Sequence, residues 1–243
     1  MHIIKLNATP STNSYLKELC SNKLLNDYTV VVTETQISGR GQMGTHWVSE
    51  TGKNLTASVF VDVSYLNLKD HFFISIAVSL AIVKTLNQFS IPRVRIKWPN
   101  DILSENKKIC GILIENIIKQ NNLKSTIIGF GLNVNQTEFK DLPQAFSLKK
   151  ITGIHYNLDE LLLGIITNLK AYLKILKQQE LKYLKTEYEG YLFRKGKPST
   201  FRDSENNSFS GIIKTVTQNG KLQVLLEDKE LREFNFKEIT LLY

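Results

Sequence analysis

Arg40 stands between glycines in Gly39-Arg40-Gly41-Gln42-Met43-Gly44, a run with G-x-G-x-x-G spacing. Glycine has no Cβ, so backbone N–H groups there can approach a ligand closely and adopt positive φ. An arginine set among them can turn its planar fork toward a carboxylate or a phosphate. The chemistry offered is anion capture, but two nucleotide versions of it fail on context. A dinucleotide fingerprint needs a strand, the glycines, and then a helix whose N-terminus receives the pyrophosphate. The strand TVVVTET is present, yet Thr45–Glu50 has no amphipathic period, Thr51-Gly52 is turn-like, and a strand follows. The Gly-Lys-Ser/Thr ending of a P-loop is missing as well. Taken alone, the segment is a glycine-rich hairpin loop with a surface arginine.

Other segments change that weighting. Ser11-Thr12-Asn13, GKNL at 52–55, KWPND at 97–101 and KKICGILIE at 107–115 stand in order around the loop. With GRGQMGTHW they resemble the biotin protein ligases, whose hallmarks are a GRGRxGRxW-like loop, KWPND and a following K-x-x-G-I-L-x-E. The resemblance runs from about Pro10 to Asn135, and the short strands near the end are similar to that family's C-terminal domain. It implies ATP-dependent ligation of biotin to a lysine of a biotin carboxyl carrier protein. Biotinyl-5′-AMP is the intermediate, and pyrophosphate and then AMP are released.

The resemblance also implies roles. Ser11, Thr12, Asn13, Gln36, Gly39, Arg40, Gly41, Lys108 and Gly111 fall at biotin-binding positions. Arg40, Gln42, Gly44, Trp47, Asn100 and Asn133 fall at ATP-binding ones. Ser11, Thr12 and Gln36 are neutral polar groups suited to a ureido edge, although Ser11 and Thr12 on their own read as helix caps. Joining two anions demands positive charge and Mg²⁺. Arg40 and Lys108 are the catalytic cations, Lys97 is a weaker candidate, and Asp101 is a hard oxygen ligand for the metal. Asparagine amides at 100 and 133 can donate and accept at an adenine edge. Trp47 and Trp98 can form apolar walls or belong to the core. Transfer from a mixed anhydride needs no protein nucleophile, in keeping with cysteines at 20 and 110 that lack a partnered histidine.

The chain departs from the pattern at Gln42 and Thr45, where many relatives carry arginine; His46 is a candidate substitute. The loop is expected to order over ligand, with its glycines as hinges. Because Ser11-Thr12-Asn13 stands so early, a monofunctional enzyme without a DNA-reading segment is expected, and no DNA partner. Two rivals stay open: a lipoate or octanoate ligase, and a basic binding module without catalysis.

The elements that must position these residues follow from periodicity. HIIKL reads as a strand, and SYLKELCSNKLL as a helix that Ser11 or Thr12 can cap. NLTASVFVDV is a strand, 70–89 a helix apolar almost all round, and VRIKW a strand stopped by Pro99. KKICGILIENII and STIIGFGLNVN make a hairpin through NNLK. Asn157 and Glu160 open a helical stretch over 158–189 that breaks near Gln178. After Gly190 come short strands with turn signals such as Asn219-Gly220. The fold class is α+β: a mixed, largely antiparallel sheet backed by helices on one side, plus a small C-terminal all-β barrel. The domains divide as 1–190 and 191–243. The family implies the class II aminoacyl-tRNA-synthetase-like architecture of biotin–lipoate ligases.

The 243 residues are 42% apolar and 22% charged, enough for a substantial core. A net charge of +8 invites a nucleic-acid reading, but no block of like charge and no nucleic-acid-binding motif accompanies it. The densest basic segment, Arg194, Lys195, Lys197 and Arg202, suits an acidic acceptor surface. Two cysteines without metal-like spacing, no secretory opening and no long apolar run suggest a cytoplasmic protein without a membrane partner.

Overall fold

Three valines in a row decide how the large sheet is covered. Val30, Val31 and Val32 lie in β2 (Thr29–Gln36), and successive strand side chains point to opposite faces. Adjacent buried valines therefore require cover on both sides. In the computed structural model, which describes residues 2–140 and 142–243 apart from the Met43 side chain, Val30 belongs to the main core. Val31 joins a second, smaller cluster with Leu16 and Ile127.

The large sheet has seven strands. Its order is β1 (His2–Thr9), β2, β3 (Leu55–Asp62), β7 (Asn122–Leu132), β6 (Lys107–Lys119), β5 (Asp101–Ser104), β4 (Arg95–Lys97). Only β1 and β2 are parallel; every other neighbouring pair is antiparallel. A parallel pair needs a crossover, and α1 (Thr12–Asn22) supplies it. Its Leu16 packs on Val31 and Ile127. The opposite face is covered by α2 (Phe72–Gln88), which also carries α4 (Leu158–Lys177) and α5 (Leu181–Tyr191). The helices expected on one side thus occupy two. The reason is the valine run, whose second face only α1 can bury.

Most local expectations hold in detail. Ser11 Oγ accepts from Ser14 N at the start of α1, and Asn157 Oδ1 accepts from Asp159 N and Glu160 N at the start of α4. The long helical stretch breaks at Gln178, with Gln179 at φ 63°. Among the described residues, the span around α2 is long and apolar enough to cross a membrane, but 78% of it is buried in the core. The β6–β7 turn is tighter than NNLK suggested. Lys119 pairs with Asn122, leaving Gln120 and Asn121 alone at positive φ, the geometry of a two-residue hairpin loop. Leu123 is buried and belongs to the strand. The strand β5 was not legible, because Pro99 interrupts the pattern just before it.

The C-terminal strands form a second antiparallel sheet, ordered β11 (Leu231–Phe234), β10 (Leu222–Leu226), β9 (Ser208–Val216), β8 (Pro198–Asp203), β12 (Ile239–Leu242). Phe201, Phe209 and Phe234 stack across it. Its core is continuous with that of the large sheet. Specific contacts fasten the two together. Trp98 Nε1 donates to Gly220 O at 2.8 Å, and Gln218 Nε2 donates to the buried Asp70 carboxylate at 2.5 Å. The Glu189 carboxylate on α5 takes Lys195 Nζ at 2.5 Å and the Thr215 hydroxyl.

Burial pushes the Glu189 pKa up, but Lys195 and Thr215 outweigh it and hold the group below its ordinary value. A depressed folded pKa gives stability that is present above the unfolded value and lost as pH falls through the folded one. Glu189→Gln is therefore expected to destabilise the fold by about 1–3 kcal/mol near neutrality. The gap from the parent should close in acid, as thermal unfolding across that range would record.

Candidate active site

The floor of the site is set by strand register. Thr56 pairs with Gly131, Gly131 with Gly111, Gly111 with Asp101, and Asp101 with Lys97. With Thr33, the partner of Thr56, they form one row across six strands, all but β1. A second row runs Ser58, Gly129, Leu113. Their strand neighbours Leu55, Ala57, Ile128, Phe130, Cys110 and Ile112 belong to the main core on the α2 face. By alternation the rows face the other way, toward the α1 side.

Glycines in those rows clear space above the sheet. A Cβ at Gly131 would lie 2.2 Å from the Trp47 indole, one at Gly129 2.2 Å from Asn13 Oδ1, and one at Gly111 3.2 Å from Trp47 Cζ3. Over this floor lies a cavity of about 470 Å³ that extends to the C-terminal sheet at Phe201, Leu222 and Ile239.

One end of the cavity is polar and neutral. Gln36 Oε1 accepts from Thr12 N at 2.8 Å and Thr12 Oγ1 at 3.2 Å. Ser58 Oγ lies 2.6 Å from Thr12 Oγ1 and 2.5 Å from Asn13 Oδ1. Asn13 Nδ2 donates to Glu115 at 2.7 Å. Ser11 lines the cavity while also capping α1, so one residue serves both readings of it.

The other end is charged. Lys108 Nζ is 2.7 Å from Asp101 Oδ1, and Lys97 Nζ is 4.0 Å from Oδ2. Burial lowers the Lys97 pKa, with Asp101 opposing and Lys108 adding to the fall. Lys97 also lies over the Tyr243 ring, 4.9 Å from its centroid. Asn100 Nδ2 donates to Ile112 O at 2.8 Å.

The glycine loop lies along the cavity. Gly41 N donates to Thr45 O at 2.6 Å around a short turn over Gln42–Gly44, and Arg40 pairs with His46 across it. Arg40 Nη2 reaches Glu115 at 2.9 Å. Trp47 Nε1 is buried and has no hydrogen-bond partner among the described residues.

Of the residues singled out in the sequence, Ser11, Thr12, Asn13, Gln36, Arg40, Gly41, Gln42, Trp47, Asn100, Asp101, Lys108 and Gly111 all line this one cavity. Gly39, Gly44 and Asn133 are not among its lining residues. At Gly39 a Cβ would meet Trp47 O at 2.2 Å, Gly44 is exposed at φ 84°, and Asn133 is buried. Trp98 both lines the cavity and packs on Phe236. Sequence reasoning gave no role to Thr56, Ser58 or Glu115, although Glu115 closes the KKICGILIE motif. The signal for the first two was small polar residues alternating with apolar ones in a strand that is buried on both faces.

Asp101 is the one carboxylate lining the cavity among the described residues, which hold no group of three or more potential metal-ligating side chains. That donor set does not make an all-protein cage. It does fit Mg²⁺ carried in on phosphates, which takes only one or two protein carboxylates.

A mixed sheet with helices on both faces carries a cavity, lined by neutral polar groups toward α1 and by cations toward β4, over a floor of glycines. The chain belongs to the biotin/lipoate A/B protein ligase family, whose model matches residues 6–133. It is similar to the bifunctional ligase/repressor BirA of Bacillus subtilis, at 33% identity over 158 residues, covering 63% of this chain and 47% of the relative. It is also similar to the biotin–[acetyl-CoA-carboxylase] ligase of Mycobacterium tuberculosis, 32% identical over 143 residues, covering 58% of this chain and 52% of that one. The chain thus spans about half the length of such curated relatives. Among solved structures, the biotin protein ligase from Aquifex aeolicus in complex with biotin and ATP superposes with a TM-score of 0.82. It is 26% identical and covers 99% of this chain and 98% of its own.

Proposed function

We propose that this chain couples biotin to ATP and passes the activated acid to a lysine of a biotin carboxyl carrier domain. The observation that carries the reading is the polarity of the cavity: neutral hydrogen-bonding groups at Thr12 and Gln36, and cations at Lys108 and Lys97, across a floor of glycines. Biotin has a matching order of parts, with a neutral ureido ring, an apolar arm and a terminal carboxylate. Relatives and a close structural neighbour named for biotin ligation support the same assignment.

In this reading Ser11, Thr12, Asn13 and Gln36 receive the ureido ring, and Gly39, Gly41 and Gly111 let backbone approach the ligand. Arg40 and Lys108 neutralise the carboxylate and the α-phosphate as they meet. A carboxylate oxygen bonds to phosphorus, the bond to the bridging oxygen breaks, and pyrophosphate leaves with the electron pair. The acceptor lysine amine then attacks the acyl carbon, AMP leaves, and the amine proton is released. Lys108 stabilises charge in both steps. Mg²⁺ would be held by Asp101, which also pairs with Lys108, and would supply charge that screens the phosphates. Gln42, Gly44, Trp47, Asn100 and Asn133 belong to the ATP side, with the two asparagine amides for the adenine edge. Asn133 has that role from its place in the motif alone. The division at residue 190 is part of the proposal too, as are a cytoplasmic location and the absence of a DNA partner.

Biotin-dependent exchange of labelled pyrophosphate into ATP tests the reading. Exchange with biotin and none with lipoate is expected. Lipoate-dependent exchange would move the assignment to the other branch of the family, and no exchange with either acid would remove the activity.

A further inference from the structure

Glu115 lies outside the cavity lining yet holds two groups that belong to it. Its Oε2 accepts from Asn13 Nδ2 at 2.7 Å and from Arg40 Nη2 at 2.9 Å. Asn13 is in the first turn of α1 and Arg40 is in the glycine loop, 27 positions apart by residue number. One carboxylate oxygen therefore ties the helix end of the cavity to the loop lying along it.

The placement follows from β6. Gly111, Leu113 and Glu115 alternate onto the same face of that strand. Gly111 and Leu113 line the cavity, and Glu115 is the next residue along, at its rim. Its cross-strand partner is Ile127, part of the small cluster under α1. The carboxylate is thus anchored on a rigid strand while the arginine it holds is on a loop. Arginine presents five N–H donors, so donating one to Glu115 leaves others for an anionic ligand. The contact is compatible with ligand binding rather than opposed to it.

We infer that Glu115 is a positioning residue, a latch that holds the glycine loop over the cavity through Arg40 and sets the Asn13 amide in the same act. The inference rests on the biotin–ATP reading for its kinetic consequence, but the latch itself is a property of the ligand-free chain. The ion pair is partly exposed, 44% at Arg40 and 25% at Glu115, so its strength is that of a rim contact reinforced by the Asn13 bond.

Trypsin reads the latch directly, since it cuts after Arg40 only when the loop leaves the strand. In ligand-free protein, Glu115→Ala should raise the rate of cleavage after Arg40 several-fold relative to cleavage after Lys229, a turn residue remote from the site. Glu115→Gln, which keeps an acceptor of the same shape without the charge, should recover part of the protection. In pyrophosphate exchange, Glu115→Ala should raise the apparent KM for biotin by roughly tenfold, leave kcat within a small factor, and speed escape of the acyl-adenylate. A merely structural role would change cleavage throughout the chain together and would not be rescued by glutamine. Unchanged cleavage after Arg40 in the alanine variant overturns the latch, and so does a loss confined to kcat. If the parent protein shows no exchange at all, the biotin reading fails while the tryptic result still decides whether Glu115 holds the loop.

Discussion

Lys108→Ala should lower biotin-dependent pyrophosphate exchange by roughly 10²-fold or more, the scale of losing one preorganised donor at a developing charge. The side chain is placed for that work. It rises from β6 beside the glycine floor, with Nζ 3.5 Å from where a Gly111 Cβ would be and 2.7 Å from Asp101. Lys97 does not replace it, because it stands 4.0 Å from the other oxygen of the same carboxylate, and burial already disfavours its charged form. The loss should appear mainly in kcat, since an interaction that strengthens as charge moves onto phosphorus contributes little to ground-state binding. Lys108→Arg, which retains charge but changes its reach and shape, should recover only part of the rate. The fold should survive, because Lys108 is 35% exposed and Asp101 keeps Lys97 as a neighbour. Near-normal exchange in the alanine variant would take Lys108 out of the mechanism.

How much of this was readable beforehand depends on the distance along the chain over which each feature is decided. The glycine loop, the lysine of KKICGILIE and the asparagine and aspartate of KWPND are local strings, and all supply residues to the same cavity. The caps at Ser11 and Asn157, the break at Gln178 and the Asn219-Gly220 turn are equally local, and the structure has each of them. Register is different. Gly111 and Gly131 face each other only because β6 and β7 pair with one particular offset, and a one-residue slip of either strand would turn its own glycine to the core face. No property of either segment alone states that offset. Glu115 was passed over for a similar reason: its partners Asn13 and Arg40 come from two distant elements. The cover of Val31 by α1 was legible in principle, since three consecutive valines already imply two buried faces. Trp98 carries two readings at once, and its bond to Gly220 depends on a sheet more than a hundred residues later in the chain.

Gly131→Ala is expected to disable the site while leaving the fold intact. A Cβ there would lie 2.2 Å from Trp47 Cε2, 2.5 Å from Cζ2 and 2.6 Å from Nε1. The obstacle is a rigid ring, so the indole must move as a whole and draw the loop with it. Overpacking of this kind costs about 1–3 kcal/mol, which corresponds to roughly 5- to 150-fold in the apparent affinity for ligands that need the loop in place. Gly190→Ala is the matching control, because none of the described residues lies within 4 Å of a Cβ there and its φ is not positive. In a helix that exchange should be neutral or mildly stabilising. Gly131→Ala should thus still fold and unfold only several degrees below Gly190→Ala, while exchange kinetics separate the two much more strongly. The cause can be isolated with Trp47→Ala. If the indole is what the new methyl strikes, adding Gly131→Ala to Trp47→Ala should cost almost nothing more, a strongly non-additive cycle. Full additivity would show that the methyl acts on something other than Trp47, and the glycine floor would then owe its importance to the ligand or to the backbone rather than to the loop above it.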